Sequence, residues 1–169
     1  MRTLNFKTRF IFFFAAVILS TATRAQETSA DSPTWEVGAT VGRLLPSLVA
    51  GVDEVMSLGG VHLGYNLAPM VYSQAHFLTG NGEGQKWRSL GLSLRMDQPL
   101  DAFLVSVYAG AQSTISSGPT TSENNELGAF VGGGLMAGAG GPTWIKLDMN
   151  FGFGPGTTLF ISMALLLRL

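Results

Sequence analysis

The sequence predicts an all-β protein, an eight-stranded antiparallel up-and-down transmembrane β-barrel, and three observations predict it. Hydropathy alternates residue by residue from Thr34 onward, the period at which successive side chains fall on opposite faces of a strand. Charged residues make up 12% of the chain against 46% apolar ones, whereas a soluble domain carries about 25% charge. The alternating stretches run about 9 to 11 residues each, the length of a tilted strand crossing a hydrocarbon layer.

The start of the chain reads as a secretory signal. A basic opening (Arg2, Lys7, Arg9) precedes an apolar run from Phe10 to Leu19, and small and polar residues follow to Ala25. Residues 1–25 are therefore expected to be a cleaved signal peptide, 26–33 a short linker and 34–169 the barrel. The apolar run is about half of the roughly 20 residues that a membrane-spanning helix needs. Cleavage after Ala25 removes four of the ten basic residues and none of the eleven acids, leaving six against eleven, a net −5. That balance leaves no basic tract of the kind a nucleic-acid partner requires. The absence of cysteine rules out disulfides, thiolate metal ligands and a cysteine nucleophile.

Taken in chain order, Trp35, Val37, Ala39 and Val41 oppose Glu36, Gly38, Thr40 and Gly42. Val61, Leu63 and Tyr65 oppose Gly60, His62, Gly64 and Asn66. The stretch from Met70 to Thr79 has the weakest contrast, with Gln74 and His76 assigned inward. Leu90, Leu92, Leu94 and Met96 oppose Ser89, Gly91, Ser93, Arg95 and Asp97; Phe103, Val105, Val107, Ala109 and Ala111 oppose Ser106, Tyr108, Gly110 and Gln112. Leu127, Ala129, Val131 and Leu135 oppose Gly128, Phe130, Gly132 and Gly134. Ile145, Leu147, Met149, Phe151 and Phe153 alternate with Lys146, Asp148, Asn150 and Gly152. Last, Leu159, Ile161, Met163, Leu165, Leu167 and Leu169 alternate with Phe160, Ser162, Ala164, Leu166 and Arg168.

Short connections are expected at Ala68-Pro69, at Gln98 to Asp101 and at Gly138 to Pro142. They alternate with longer ones at Leu44 to Met56, Gly80 to Lys86 and Thr114 to Asn125, and a brief one at Gly154 to Gly156. Periplasmic turns and external loops of an outer-membrane barrel give that alternation. Soluble sandwiches and lipocalin-like barrels share the period, so polarity decides between them. The polar face is mostly Gly, Ala and Ser, too poor in charge for a water-exposed shell, and the oily face is therefore expected outside. Closure follows, because hydrocarbon offers no partner to unpaired backbone groups. An eight-stranded interior is just wide enough for side chains to fill, so it is expected to be packed, with no wide pore.

The stretch Trp35-Glu36-Val37-Gly38-Ala39-Thr40-Val41-Gly42-Arg43-Leu44-Leu45-Pro46 resembles the opening strand of small outer-membrane barrels of the OmpA-type transmembrane-domain class. Gly132-Gly133-Gly134-Leu135-Met136 and Pro155-Gly156-Thr157-Thr158-Leu159-Phe160 resemble later strands of that group. The resemblance covers residues 34–169. It implies an eight-stranded barrel in the bacterial outer membrane, inserted by the outer-membrane assembly machinery, with outer-membrane lipid and lipopolysaccharide as surroundings and no cofactor. One departure is the final Leu169, where such proteins usually carry an aromatic residue. Nothing in the sequence matches the peptidoglycan-binding domain of larger relatives.

The expected interior polar network comprises Glu36, His62, Arg95, Asp97, Lys146, Asp148 and Arg168. Its charges balance, three of each sign, as burial demands of ions that must not be left unpaired. If the first and last strands close the barrel, Glu36 should pair with Arg168. Trp35, Tyr65, Phe151 and Phe153 are candidates for the aromatic girdles at the membrane interfaces. Trp144 falls on the inner parity, which a local bulge would accommodate.

A lipid hydrolase would need a histidine base beside a serine. His62 is followed by Leu63-Gly64 and His76 by Phe77-Leu78, so the His-x-Ser arrangement of the deacylase group is missing. No closely spaced His and carboxylate cluster suggests a metal. The expected function is a monomeric, non-enzymatic outer-membrane barrel with a structural or surface-loop role. A small pore for ions or solutes and a lipopolysaccharide-modifying enzyme are the alternatives.

Overall fold

The computed structural model describes residues 34–47, 49, 52, 54–119, 121–154 and 156–169, with the backbone alone at 121. The expected signal peptide and linker lie outside the described residues. Eight strands follow one another: β1 (Trp35–Ser47), β2 (Met56–Ala68), β3 (Val71–Gly82), β4 (Gln85–Leu100), β5 (Phe103–Gly118), β6 (Thr121–Gly140), β7 (Thr143–Phe153) and β8 (Thr157–Arg168). Each pairs antiparallel with its sequence neighbour, and β1 pairs with β8 from Glu36↔Arg168 to Ser47↔Thr157, which closes the barrel. At the seam, Trp35 and Leu169 exchange backbone hydrogen bonds of 3.0 and 2.8 Å.

The parity expected from the alternation is the parity observed. Leu92 is 66% exposed on the outer wall while its neighbours Gly91 and Ser93 are buried. Exposed Val41, Val61, Phe77, Leu90, Leu94, Leu135, Leu147, Ile161 and Leu165 continue an apolar belt around the barrel. Such a belt is what strands display when hydrocarbon surrounds them. The reverse polarity, with the oily side as a core, is excluded by these exposures.

Five expected connections are shorter in the structure: β1 continues to Ser47 and β2 begins at Met56 in that from Leu44 to Met56, β6 continues to Gly140 in that from Gly138 to Pro142, and three differ more. Gly80 to Lys86 is a tight hairpin whose two link residues, Glu83 and Gly84, have φ of 49° and 80°. Two successive positive φ values are the geometry that twists with a hairpin, and Gly84 adopts it without steric cost. Thr114 to Asn125 is also mostly strand, with β5 running to Gly118 and β6 beginning at Thr121. Beyond the lipid a strand needs no oily face, so these polar stretches read as loops although the ladder continues. Gln98 to Asp101 is likewise strand up to Leu100, and Asp101 and Ala102 make the turn.

Inside, bulky residues sit opposite glycines in register: Glu36↔Gly64, Gly38↔His62, His76↔Gly91, Tyr108↔Gly132, Gly110↔Phe130 and Gly134↔Asp148. A narrow lumen accepts large side chains only where the facing position is empty. At Gly132 a Cβ would land on the ring and hydroxyl of Tyr108 and within 2.6 Å of the Met149 carbonyl oxygen. Gly132→Val is therefore expected to cost about 1–3 kcal/mol by overpacking, read as a lowered urea midpoint of the barrel refolded in vesicles. Gly59→Ala, whose Cβ would have only the Thr40 carbonyl oxygen nearby at 3.9 Å, is expected to shift stability by less than about 0.5 kcal/mol.

Candidate functional site in the barrel interior

The lumen is filled in three layers. Nearest the β1 start, Glu36 is fully buried and gathers three partners. Arg95, on the opposite wall in β4, reaches across so that Nη1 and Nη2 donate to Glu36 Oε1 and Oε2 at 2.5 and 2.8 Å. Arg168 Nε donates to Glu36 Oε2 at 2.9 Å, and Nε2 of His62 lies 3.0 Å from Oε1. Asp97 completes the layer, accepting from Arg168 Nη2 at 2.6 Å and from Arg95 Nη2 at 3.2 Å.

Aromatic rings brace the two guanidinium groups. Arg95 lies 4.5 Å and Arg168 5.3 Å from the Tyr72 ring centroid, and Arg168 lies 4.8 Å from that of Trp144. Desolvated cation–π contacts of this kind contribute about 2 kcal/mol. Trp144 thus keeps the inner parity by being part of the network. The register irregularity near it lies in β6, between Gly138 and Gly140, and Trp144 itself pairs with Gly138. Beside this layer, Leu104, Met136, Ala164 and Leu166 pack with Trp144.

The middle layer holds Lys146 and Asp148, paired at 2.9 Å. Tyr108 donates its hydroxyl to Asp148 at 2.5 Å, and the Lys146 ammonium sits 4.6 Å from the Tyr108 ring centroid. His76, in register with His62, packs edge-on to Phe130 with ring centroids 5.0 Å apart. A cavity of about 60 Å³ remains between His62, Gln74, His76, Ser93, Lys146 and Asp148. Leu78, Phe160 and Ala164 complete its lining, and its size and polar side chains suit a few water molecules.

On the external side an apolar cluster lies against β1–β4 and β8. Leu44, Val52, Met56, Leu58, Leu78, Trp87 and Phe160 form one cluster, with Val49 packed on it. Val49 and Val52 bridge to each other in the β1–β2 connection, and Val52 is buried among the strand residues. Beside this cluster, Gln112, Thr114, Glu126 and Thr158 line a second cavity of about 20 Å³.

The seven network residues all point inward, in two groups. Glu36, His62, Arg95, Asp97 and Arg168 make one, and Lys146 with Asp148 the other. Of the girdle candidates, Trp35 and Tyr65 face outward together, ring centroids 4.7 Å apart, and Phe151 and Phe153 are exposed near the opposite rim. Tyr72 and Tyr108 also belong to the network, although neither carries the charge that singles out its other members. The inward parity of Gln74 and His76, extended back by two residues, reaches Tyr72.

Chemically the interior is arranged for charge neutralisation. His62 directs its Nε2 to Glu36, and the Nε2 of His76 has no hydrogen-bond partner among the described residues. Both histidines lie inside the wall, apart from any lipid substrate on its outer face.

Solved structures with this architecture are small outer-membrane barrels. Neisserial surface protein A from Neisseria matches with a TM-score of 0.69 at 10% identity, over 80% of this chain and 97% of that one. The N-terminal β-barrel domain of Pseudomonas aeruginosa OprF matches with a TM-score of 0.62 at 12% identity, over 80% and 99%. Ail, the attachment invasion locus protein of Yersinia pestis, matches with a TM-score of 0.56 at 7% identity, also over 80% and 99%. At these identities the likeness is one of fold, and at that level the resemblance expected from the sequence is borne out. No family model matches the chain, and no curated protein matches it in sequence.

Proposed function

We propose that the chain is an integral bacterial outer-membrane barrel with a structural or surface-presenting role, neither an enzyme nor an open pore. The observation that carries this reading is the pairing of an unbroken apolar outer belt with a filled lumen. An apolar patch of that extent on a water-soluble monomer would drive association. Facing hydrocarbon, it is the stabilising surface. The chain inserts through the outer-membrane assembly machinery and resides there as a monomer surrounded by lipid and lipopolysaccharide.

Support for the non-conducting reading comes from the apolar cluster around Trp87 and Phe160, which occupies part of the lumen on the external side, and from the small volumes, about 60 and 20 Å³, of the cavities beside it. The extended β3–β4 and β5–β6 hairpins supply the presented surface. In planar bilayers the refolded protein is expected to give no steady single-channel openings. Regular unitary currents would favour the pore instead. Mass analysis of lipopolysaccharide from cells lacking the protein is expected to show unchanged acylation and phosphorylation; a lost or gained group would favour the enzyme.

A further inference from the structure

Positive charge on the outside of this barrel is confined to β1 and β4, near the external ends of those strands. Six basic residues follow Thr34, and three of them (Arg95, Lys146, Arg168) are consumed in the lumen. The other three, Arg43 on β1 with Lys86 and Arg88 on β4, all point outward near the external rim. The outward strand positions of β5–β8 carry a single charge, the acid Glu123.

Register places the three cations in a band. Arg43 pairs with Ser57, to which it donates from Nη1 at 2.6 Å. Gly80, the neighbour of Asn81, abuts the Ser57 carbonyl, and Asn81 pairs with Lys86. Two residues lower, Thr79 pairs with Arg88. Arg43, Ser57, Asn81 and Lys86 thus cross four adjacent strands, roughly 15 Å at the usual strand spacing. Further from the external ends of the same strands lie exposed Val41, Val61, Phe77 and Leu90 of the apolar belt. No outward position of β1–β4 is acidic; Glu54 and Glu83 stand in the connections.

We propose that this band holds the phosphate groups of an outer-leaflet glycolipid. Arg43, Lys86 and Arg88 supply charge, Ser57, Thr79 and Asn81 supply hydrogen bonds, and the acyl chains lie on the belt below. Its place near the external ends of the strands is what selects the ligand: cations that border a hydrocarbon-facing surface meet headgroup phosphates. Guanidinium groups match phosphate with paired donors, and a hydroxyl-and-amide row between them suits a polar sugar. The proposal rests on the membrane placement inferred above.

The test uses the refolded protein in detergent micelles, with retained lipid read by native mass spectrometry. Three probes are compared: bisphosphorylated lipid A, the same lipid A with its phosphates removed, and phosphatidylglycerol. The protein is expected to retain bisphosphorylated lipid A far above the other two. The R43Q/K86Q/R88Q variant is expected to lose that preference, by about fivefold per cation and on the order of 100-fold in all. The R43K/K86R/R88K variant, which keeps every charge, should largely keep it. Equal retention of all three lipids by the unaltered protein overturns the proposal without any variant, and so does retention of phosphatidylglycerol as strong as that of lipid A. A protein that inserts into vesicles and shifts on a gel with heating, yet shows no preference, fails this proposal alone; one that never inserts fails the membrane reading.

Discussion

Replacing Arg95 by alanine is expected to destabilise the barrel by about 3–5 kcal/mol, the usual consequence of removing one partner from a buried ion pair. The side chain is fully buried, and it is the only bridge from β4 across the lumen to Glu36 among the contacts described. Without it, Glu36 retains Arg168 and His62, and Asp97 retains Arg168, so two carboxylates share one guanidinium. The Tyr72 face loses its closer cation as well. Urea unfolding in vesicles, followed by tryptophan fluorescence, reads the loss directly. A double-mutant cycle with Glu36→Gln and Arg95→Gln is expected to give a coupling of about 0.5–3 kcal/mol. Additive effects would mean that the two side chains do not act on each other.

The second large effect is expected on the outer wall. Leu92 lies mid-strand in β4, in register with Ala75 and Ala111, and is more exposed than most of the belt. Leu92→Arg places a cation near the middle of the hydrocarbon, where arginine costs a barrel about 2–4 kcal/mol. On a water-facing surface the same change would fall within about 0.5 kcal/mol. Refolding yield and urea midpoint in vesicles distinguish the two magnitudes. Arg88→Leu, two turns of the alternation higher and beyond the belt, is expected to carry no such penalty.

Much of this structure was legible in the residues because a membrane barrel is written in a two-residue period. Oily Leu90, Leu92 and Leu94 against Ser89, Gly91, Ser93 and Arg95 assign every side chain of the β4 span once the strand is recognised. The Glu36–Arg168 contact followed from closure, since the ends of the first and last strands must meet. Contacts across the lumen were less legible. Arg95 meets Glu36 because β1 and β4 face each other over a narrow interior, a relation that no spacing along the chain encodes. The long β5–β6 hairpin was hidden because Ser113 to Asn125 is polar on both faces, so hydropathy loses its contrast where the strand leaves the lipid. The apolar cluster was obscured for the opposite reason: Leu44, Leu58, Leu78 and Phe160 are oily residues on the inner parity, and they blur the rule that the sparse polar side turns inward.

The three tryptophans give the most direct test of which side meets lipid. Trp35 is 45% exposed on the outer wall, Trp87 is 4% exposed in the external apolar cluster, and Trp144 packs within the charged interior. Single-tryptophan variants refolded into vesicles of brominated phosphatidylcholine are expected to show strong quenching at Trp35 and weak quenching at Trp87 and Trp144. Strong quenching at the two inner positions with Trp35 spared, or a folded monomer that stays in buffer and ignores the vesicles, would contradict an oily face turned outward.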